Sequence, residues 1–145
     1  TYNGNSLRKY ENIDSSILKD PCFKYLIHCF IYNASINNPN INIKYIQTHQ
    51  IRVYAEKEKT NLVPEGIHQD GYNMIAIACI RRKNIKGGIS LIYDSSKNLI
   101  HNLQLGEGEI IILNDNKLYH DVLPIELYKE DEEGYRDILV FTTIS

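Results

Sequence analysis

The sequence has 145 residues, enough for one domain with a hydrophobic core and too few for two ordinary domains. Hydrophobic residues make up 43% and charged residues 23%, and 16 basic against 18 acidic side chains give a net charge of −2, which disfavours a disordered chain and a basic nucleic-acid-binding surface. No apolar run is long enough to span a bilayer, and the printed sequence does not open with a typical leader. Three cysteines without a CxxC pair are typical of a reducing compartment. We therefore expect a soluble cytoplasmic protein without nucleic-acid or membrane partners.

One helix is predicted near the start of the chain, after a polar, aperiodic lead-in over residues 1–19. Asp20 followed by Pro21 is typical of a helix start, with aspartate as the cap and proline in the first turn. Apolar residues then recur at helical spacing, which predicts a helix over residues 21–32. The asparagine-rich stretch 33–40 is predicted to be a loop.

Short strands are predicted for the rest of the chain. Apolar and polar residues alternate over 41–45 and 49–54, and the run 74–80 is apolar on both faces, as in a strand buried between two layers. A solvated basic turn is predicted over 81–86 and an exposed acidic loop over 124–134. Further strands are predicted at 88–94, 99–105, 109–113, 118–123 and 136–143.

One helix followed by about eight short strands predicts a mainly β fold, an antiparallel two-sheet sandwich or jelly roll with the helix packed on it. The alternating pattern of strands and helices that defines Rossmann and TIM folds is absent from the sequence. We therefore expect one domain over residues 1–145.

The stretch 64–71 contains the candidate functional residues His68 and Asp70, just ahead of the most apolar strand. In an extended backbone, residues two apart point to the same side, so the imidazole and the carboxylate can converge on one point. His120, on a later strand, would complete a set of two histidines and one carboxylate, which is the usual ligand set of non-haem Fe(II) oxygenases. Each residue alone could equally be structural, but the three together predict an iron site.

Arg136, on the last predicted strand, is the fourth candidate. If this strand paired with the strand of His120, Arg136 would lie diagonal to His120 on the same face. A guanidinium that points into a barrel needs an anionic partner, and the carboxylate of a ligand is one that it can bind through two parallel hydrogen bonds. The alternative is an ion pair with Asp137, Glu126 or the acidic loop.

Four separated segments support this prediction through a resemblance. In this order, they resemble segments of the bacterial 2-oxoglutarate/Fe(II) dioxygenase family that includes free L-isoleucine 4-hydroxylase. The similarity covers residues 48–143, and the family's domain normally starts earlier than Thr1, so an N-terminal piece is expected to be missing. The segments are Pro-Glu-Gly-Ile-His-Gln-Asp-Gly at 64–71, Gly-Gly-Ile-Ser-Leu-Ile-Tyr-Asp at 87–94, Leu-Tyr-His-Asp-Val-Leu-Pro-Ile at 118–125 and Gly-Tyr-Arg-Asp-Ile-Leu-Val-Phe-Thr at 134–142.

The resemblance implies a double-stranded β-helix core, with Fe(II) bound by His68, Asp70 and His120. It also implies that Arg136 binds the distal carboxylate of the cosubstrate 2-oxoglutarate. The expected reaction uses O2, releases succinate and CO2, and hydroxylates a small molecule such as a free L-amino acid. Many relatives carry a serine where this chain has Ile138, so any helping hydroxyl would come from elsewhere, such as a tyrosine or Thr142.

Two alternatives stay open from the sequence. One is a sandwich domain that binds a small molecule without a metal or catalysis, and the complete ligand set argues against it. The other is a cupin-like metal enzyme that needs no 2-oxoglutarate, and Arg136 is the residue that discriminates against it. Six further side chains could line a pocket or be purely structural: Arg52, Tyr72, Asn73, Tyr93, Asn116 and Tyr119.

Overall fold

The structure, a computed structural model, describes residues 11–145, and the predicted lead-in over residues 1–10 lies outside this range. Two helices open the described chain, α1 at Ser15–Lys19 and α2 at Pro21–Asn37. The lead-in prediction is therefore wrong for residues 15–19. Helix α2 begins where the sequence predicts, because the Asp20 carboxylate accepts hydrogen bonds from the amides of Cys22 (2.8 Å) and Phe23 (3.3 Å).

Helix α2 continues five residues beyond its predicted end, so the loop prediction is wrong for residues 33–37. The side chains of Asn33, Ser35 and Asn37 each donate a hydrogen bond to the carbonyl four residues earlier, at 2.8–2.9 Å. These polar groups are thus satisfied within the helix and do not compete with it. Ala34 is fully buried, so the last turns also gain packing against the core.

Nine strands follow, and all their pairings are antiparallel. They form a four-stranded sheet in the order β1-β9-β2-β6, a three-stranded sheet in the order β5-β4-β7, and a two-stranded ribbon of β3 and β8. The predicted mainly β jelly roll is confirmed. The strands are β1 (Tyr45–Tyr54), β2 (Met74–Lys83), β3 (Ile85–Gly87), β4 (Ser90–Tyr93), β5 (Leu99–Leu103), β6 (Ile110–Asn114), β7 (Tyr119–Val122), β8 (Ile125–Leu127) and β9 (Tyr135–Ile144).

The main core lies between helix α2 and the outer face of the four-stranded sheet. The ring of Phe141 on β9 stacks on Phe30 at 5.9 Å between centroids and tilts against Phe23 at 6.1 Å. On the other face of β2, Ile75 packs in a second buried cluster with Ile92 and its neighbours. Residues 74–79 of β2 are thus buried on both faces, as their sequence predicts, whereas Ile80 at the end of the predicted run is 44% exposed.

Three local predictions need correction. Strand β1 is one continuous strand that starts at Tyr45, so residues 41–44 precede the sheet. The basic turn is wrong, because β2 runs to Lys83 and the chain reverses at Asn84, whose φ is 48°. The acidic loop contains strand β8, where Ile125 is fully buried.

The predicted pairing of the strands that carry His120 and Arg136 is also wrong. Strand β7, with His120, pairs with β4, whereas β9, with Arg136, pairs with β1 and β2. The two residues therefore belong to different sheets and face each other across the sandwich. In residues 11–145, no helix is long and apolar enough to cross a membrane.

Candidate metal centre

A cavity of about 890 Å³ lies between the two sheets. Alternate residues of β1 and β9 line one wall, and residues of β4 and β7 line the other, because side chains alternate across a strand. The segment from Asn61 to Tyr72 contributes further lining. As predicted, the face of β9 that carries Arg136 includes Ile138, Val140 and Thr142.

The structure brings His68, Asp70 and His120 together at this cavity. His68 and His120 are paired by two backbone hydrogen bonds of 3.0 and 2.9 Å, which hold their rings at 4.3 Å between centroids. The two carboxylate oxygens of Asp70 lie 3.5 Å from His68 Nε2 and 3.4 Å from His120 Nε2. One ligand atom from each residue lies within 4.8 Å of the others, so one ion could contact all three.

The donor atoms fit a divalent metal ion. His68 Nδ1 donates to the Gly66 carbonyl at 2.7 Å, and this leaves Nε2 as the lone-pair nitrogen that faces Asp70. His120 Nε2 is buried and lacks a hydrogen-bond partner, since its carboxylate contacts of 3.4–3.5 Å are long for hydrogen bonds. Two imidazoles and one carboxylate on one side of an ion form the facial set that Fe(II) oxygenases use.

The charges of His68, Asp70 and His120 shift one another's pKa values. Burial favours the neutral form of Asp70, but contacts with His120 and His68 outweigh it and hold the pKa of Asp70 far below its usual range. Burial likewise opposes the charged form of His120, yet the carboxylates of Asp115 and Asp70 raise its pKa to about 9. The Asp70 carboxylate also raises the pKa of His68.

Arg136 is 4% exposed and faces the cavity. The carboxylates proposed as its alternative partners are engaged elsewhere. Asp137 binds Arg52 through two hydrogen bonds of 2.7 Å, Glu126 pairs with two lysines, and two glutamates of the acidic loop also pair with lysines. Arg136 Nε has no hydrogen-bond partner, and no carboxylate of residues 11–145 forms an ion pair with this guanidinium. Burial lowers the pKa of Arg136, because loss of water disfavours the charged form of the guanidinium.

Thr142 cannot serve as the helping hydroxyl for Arg136. The two residues are six positions apart on one strand, which separates them by roughly 20 Å at the usual rise of a β-strand. Thr142 instead lies opposite Gln47 on β1, and Gln47 accepts a hydrogen bond of 3.3 Å from the Tyr72 hydroxyl. Of the six pocket candidates from the sequence, Tyr72 lines the cavity, whereas Arg52, Asn73, Tyr93, Asn116 and Tyr119 do not.

Sequence reasoning missed Gln47 and Asp115. Gln47 lies in the gap between the predicted strands at 41–45 and 49–54, and no local pattern in the sequence indicates that it meets a cavity. Asp115 is a buried carboxylate in the turn after β6 and lies 3.5 Å from His120 Nε2. It stands between two asparagines, which are typical of an exposed turn. Its position five residues before His120 was the one available signal.

A jelly roll with a two-histidine, one-carboxylate cluster between its sheets is the architecture of a non-haem iron oxygenase. The model of the 2OG-Fe dioxygenase family matches residues 1–142. The chain belongs to this family, and iron and 2-oxoglutarate are the cofactor and cosubstrate that membership implies.

Three solved structures share the fold. A bsmA homolog from Methylobium petroleophilum PM1 is 21% identical, with a TM-score of 0.82, over 99% of this chain and 58% of that one. IDO from Bacillus thuringiensis is 23% identical, with a TM-score of 0.76, over 92% and 65% of the two chains. The Fe(II)/(alpha)ketoglutarate-dependent dioxygenase TqaL is 17% identical, with a TM-score of 0.75, over 95% and 58%.

The chain thus spans about 58–65% of the length of these solved structures. No curated protein sequence matches it significantly.

Proposed function

We propose that this chain is a 2-oxoglutarate- and Fe(II)-dependent dioxygenase that hydroxylates a small molecule. The observation that carries the proposal is a cavity with two complementary sites. One wall bears the converging donor atoms of His68, Asp70 and His120, and the other bears the buried guanidinium of Arg136, which pairs with no carboxylate of residues 11–145.

Each residue has a defined role in this proposal. His68, Asp70 and His120 would hold the metal ion on one side and leave adjacent positions open for the cosubstrate and dioxygen. Arg136 would bind the distal carboxylate of 2-oxoglutarate and thereby fix the orientation of its oxo-acid end. Bound Fe(II), together with 2-oxoglutarate and dioxygen, supplies the oxidant that converts a C–H bond to C–OH, with succinate and CO2 as co-products. The apolar residues of β9 would keep bulk water away from the reacting atoms.

We propose a free L-amino acid as the substrate. The cavity volume lies within the range of small-molecule sites, which suits a compact substrate beside the cosubstrate. The amide of Gln47 and the hydroxyls of Tyr72 and Thr142 form a polar end on the β1–β9 wall, and Thr142 Oγ1 is buried without a hydrogen-bond partner. Amide and hydroxyl groups can bind both the ammonium and the carboxylate of an amino acid.

The decisive experiment is a turnover assay with purified protein, Fe(II), ascorbate and 2-oxoglutarate against a panel of free amino acids. We expect succinate and a product that is heavier by one oxygen atom. His68→Ala should abolish both products. His101→Ala is the matched control, because His101 is exposed on β5, away from the cavity, and this variant should keep full activity.

The possible results separate the alternatives. Succinate formation that needs an amino acid supports the whole proposal, whereas uncoupled succinate formation supports the dioxygenase and refutes the tested substrates. Metal-dependent turnover without 2-oxoglutarate would support the cupin-like alternative. The absence of metal binding, with identical behaviour of the His68→Ala variant, would refute the proposal that the protein is an enzyme.

A cytoplasmic location, which the three free cysteines support, is part of the same proposal.

A further inference from the structure

Asp115 is the most buried carboxylate among residues 11–145, with a fully buried side chain in the turn between β6 and β7. Burying a charged carboxylate is costly unless hydrogen bonds replace its lost water. Asp115 accepts three such hydrogen bonds, all from successive backbone amides of residues 70–72. Oδ1 accepts from the Asp70 amide at 3.1 Å, and Oδ2 accepts from the amides of Gly71 (2.8 Å) and Tyr72 (3.0 Å).

These three amides belong to the segment that carries the candidate ligand Asp70. The segment has no ladder partner of its own there, because the isolated backbone pairing of His68 with His120 ends before Asp70 and strand β2 starts only at Met74. Without Asp115, three successive backbone donors would be left unsatisfied beside a cavity. The Asp115 carboxylate thus accepts the hydrogen bonds that the carbonyl groups of a neighbouring strand would otherwise accept.

The backbone of Asp115 strengthens the same link. Its carbonyl accepts from Gln69 Nε2 at 2.6 Å, and its amide donates to the Asn73 carbonyl at 3.1 Å. One residue therefore bonds to the chain on both sides of Asp70, and it does so five positions before His120. The turn at Asp115 connects the two ligand-bearing segments by a short path.

We infer that Asp115 is a positioning residue of the metal centre, an inference that rests on the proposed function. Asp115 is not itself a ligand, since it lies outside the group of converging donor atoms and turns its oxygens to backbone amides. It fixes the backbone at Asp70, and thereby aims the Asp70 carboxylate at His68 and His120. Its own negative charge, 3.5 Å from His120 Nε2, also favours a cation at this point.

The test is Co(II) binding by the metal-free protein, measured by calorimetry and by the visible absorption of bound Co(II). We expect Asp115→Asn to weaken Co(II) binding about 10–100-fold, the usual effect of removing a group that orients a ligand. An amide keeps the size of the side chain but loses the charge, and its NH2 group opposes at least one of the three donors. The absorption spectrum at saturating Co(II) should also change, because Asp70 binds from an altered angle.

Asp94→Asn is the matched control. Asp94 also accepts hydrogen bonds from two backbone amides, those of Ser96 (2.9 Å) and Asn98 (2.8 Å), in the turn after β4, and it neither lines the cavity nor contacts the ligand-bearing segment 68–72. This variant makes the same change of charge and should keep the affinity and the spectrum of the original protein. Equal affinity and an equal spectrum for Asp115→Asn would overturn the inference.

A second measurement covers the case in which Asp115→Asn does not fold. Amide hydrogen exchange of the unaltered protein should show protection at Gly71 and Tyr72, because their amides donate to a buried acceptor. Exchange as fast as in an exposed loop would overturn the inference. Failure of the metal centre itself has a different signature: the unaltered protein and His68→Ala would bind Co(II) equally weakly, which refutes the proposed function and the role of Asp115 with it.

Discussion

Replacing Arg136 with methionine should separate the stability of the fold from the binding of the cosubstrate. Arg136 is 4% exposed, and no carboxylate of the described residues pairs with it. An unpaired buried charge costs several kcal/mol, and replacing buried charges with apolar side chains of similar size is often neutral or stabilises by about 1–4 kcal/mol. We therefore expect Arg136→Met to unfold at the same or a higher denaturant concentration than the original protein.

The same substitution should strongly weaken the binding of 2-oxoglutarate. A guanidinium that holds a carboxylate through two hydrogen bonds contributes about 1.5–3 kcal/mol for each bond to a charged group, or about 3–6 kcal/mol together. Since 1.4 kcal/mol corresponds to a factor of ten, the dissociation constant should rise by roughly two to four powers of ten. Calorimetric titration of the Mn(II)-loaded protein with 2-oxoglutarate measures this change without turnover.

Arg52→Met is the control for this experiment. Arg52 lies on β1, opposite Asp137 and on the outer face, and it binds Asp137 through two hydrogen bonds. Its removal should lower stability slightly and leave the affinity for 2-oxoglutarate unchanged. If Arg136→Met instead lost several kcal/mol of stability and kept its affinity, Arg136 would have an internal structural partner, and the role assigned to it would be wrong.

Three further predictions test the metal centre and the fold. Co(II) at one hundred times its dissociation constant should stabilise the protein by about 2.7 kcal/mol, and a thermal shift should show this gain reversed by a chelator and absent in His68→Ala. Phe141→Ala should cost about 3–5 kcal/mol in urea unfolding, because the lost ring packs against two rings of helix α2; a loss below 1 kcal/mol would contradict this packing. Gly87→Ala should destabilise by more than about 1 kcal/mol, because φ is +79° and the added methyl group would overlap the Pro124 carbonyl oxygen. Gly108→Ala, at a similar φ of +82° but with open space around it, should cost less in the same urea experiment.

The sequence predicted a helix or strand boundary correctly where a single local interaction determines that boundary. Asp20 and Pro21 predicted the start of α2 because a cap acts within one turn. The end of α2 was missed because it depends on Ala34, whose burial is a property of the packed protein. The acidic loop was predicted from its charges, but Ile125 within it is fully buried and pairs through strand β8.

Strand neighbours were harder to predict than strand faces. Alternation along β9 correctly predicted that Arg136, Ile138 and Val140 share a face, since that follows from the geometry of one strand. The partners of β9 are β1, more than eighty residues earlier, and β2, more than fifty residues earlier, and no local pattern carries that information. Arg136 nevertheless lines the cavity of His120, because the inner faces of both sheets meet there.

The charged residues on the two walls of the cavity favour ligands of opposite charge. On one wall, Arg136 is buried and pairs with no carboxylate of residues 11–145; on the other, the carboxylates of Asp70 and Asp115 lie 3.4 and 3.5 Å from His120 Nε2. A buried guanidinium without an anionic partner is costly, so Arg136 favours a negatively charged ligand in the cavity. Under the proposed function, a divalent cation held by His68, Asp70 and His120 and a dianionic oxo acid would together satisfy both walls, because the second carboxylate of the acid would pair with Arg136. A singly charged oxo acid whose carboxylate binds the cation would leave Arg136 without an anion, so we expect the proposed site to prefer a dicarboxylate to a monocarboxylate.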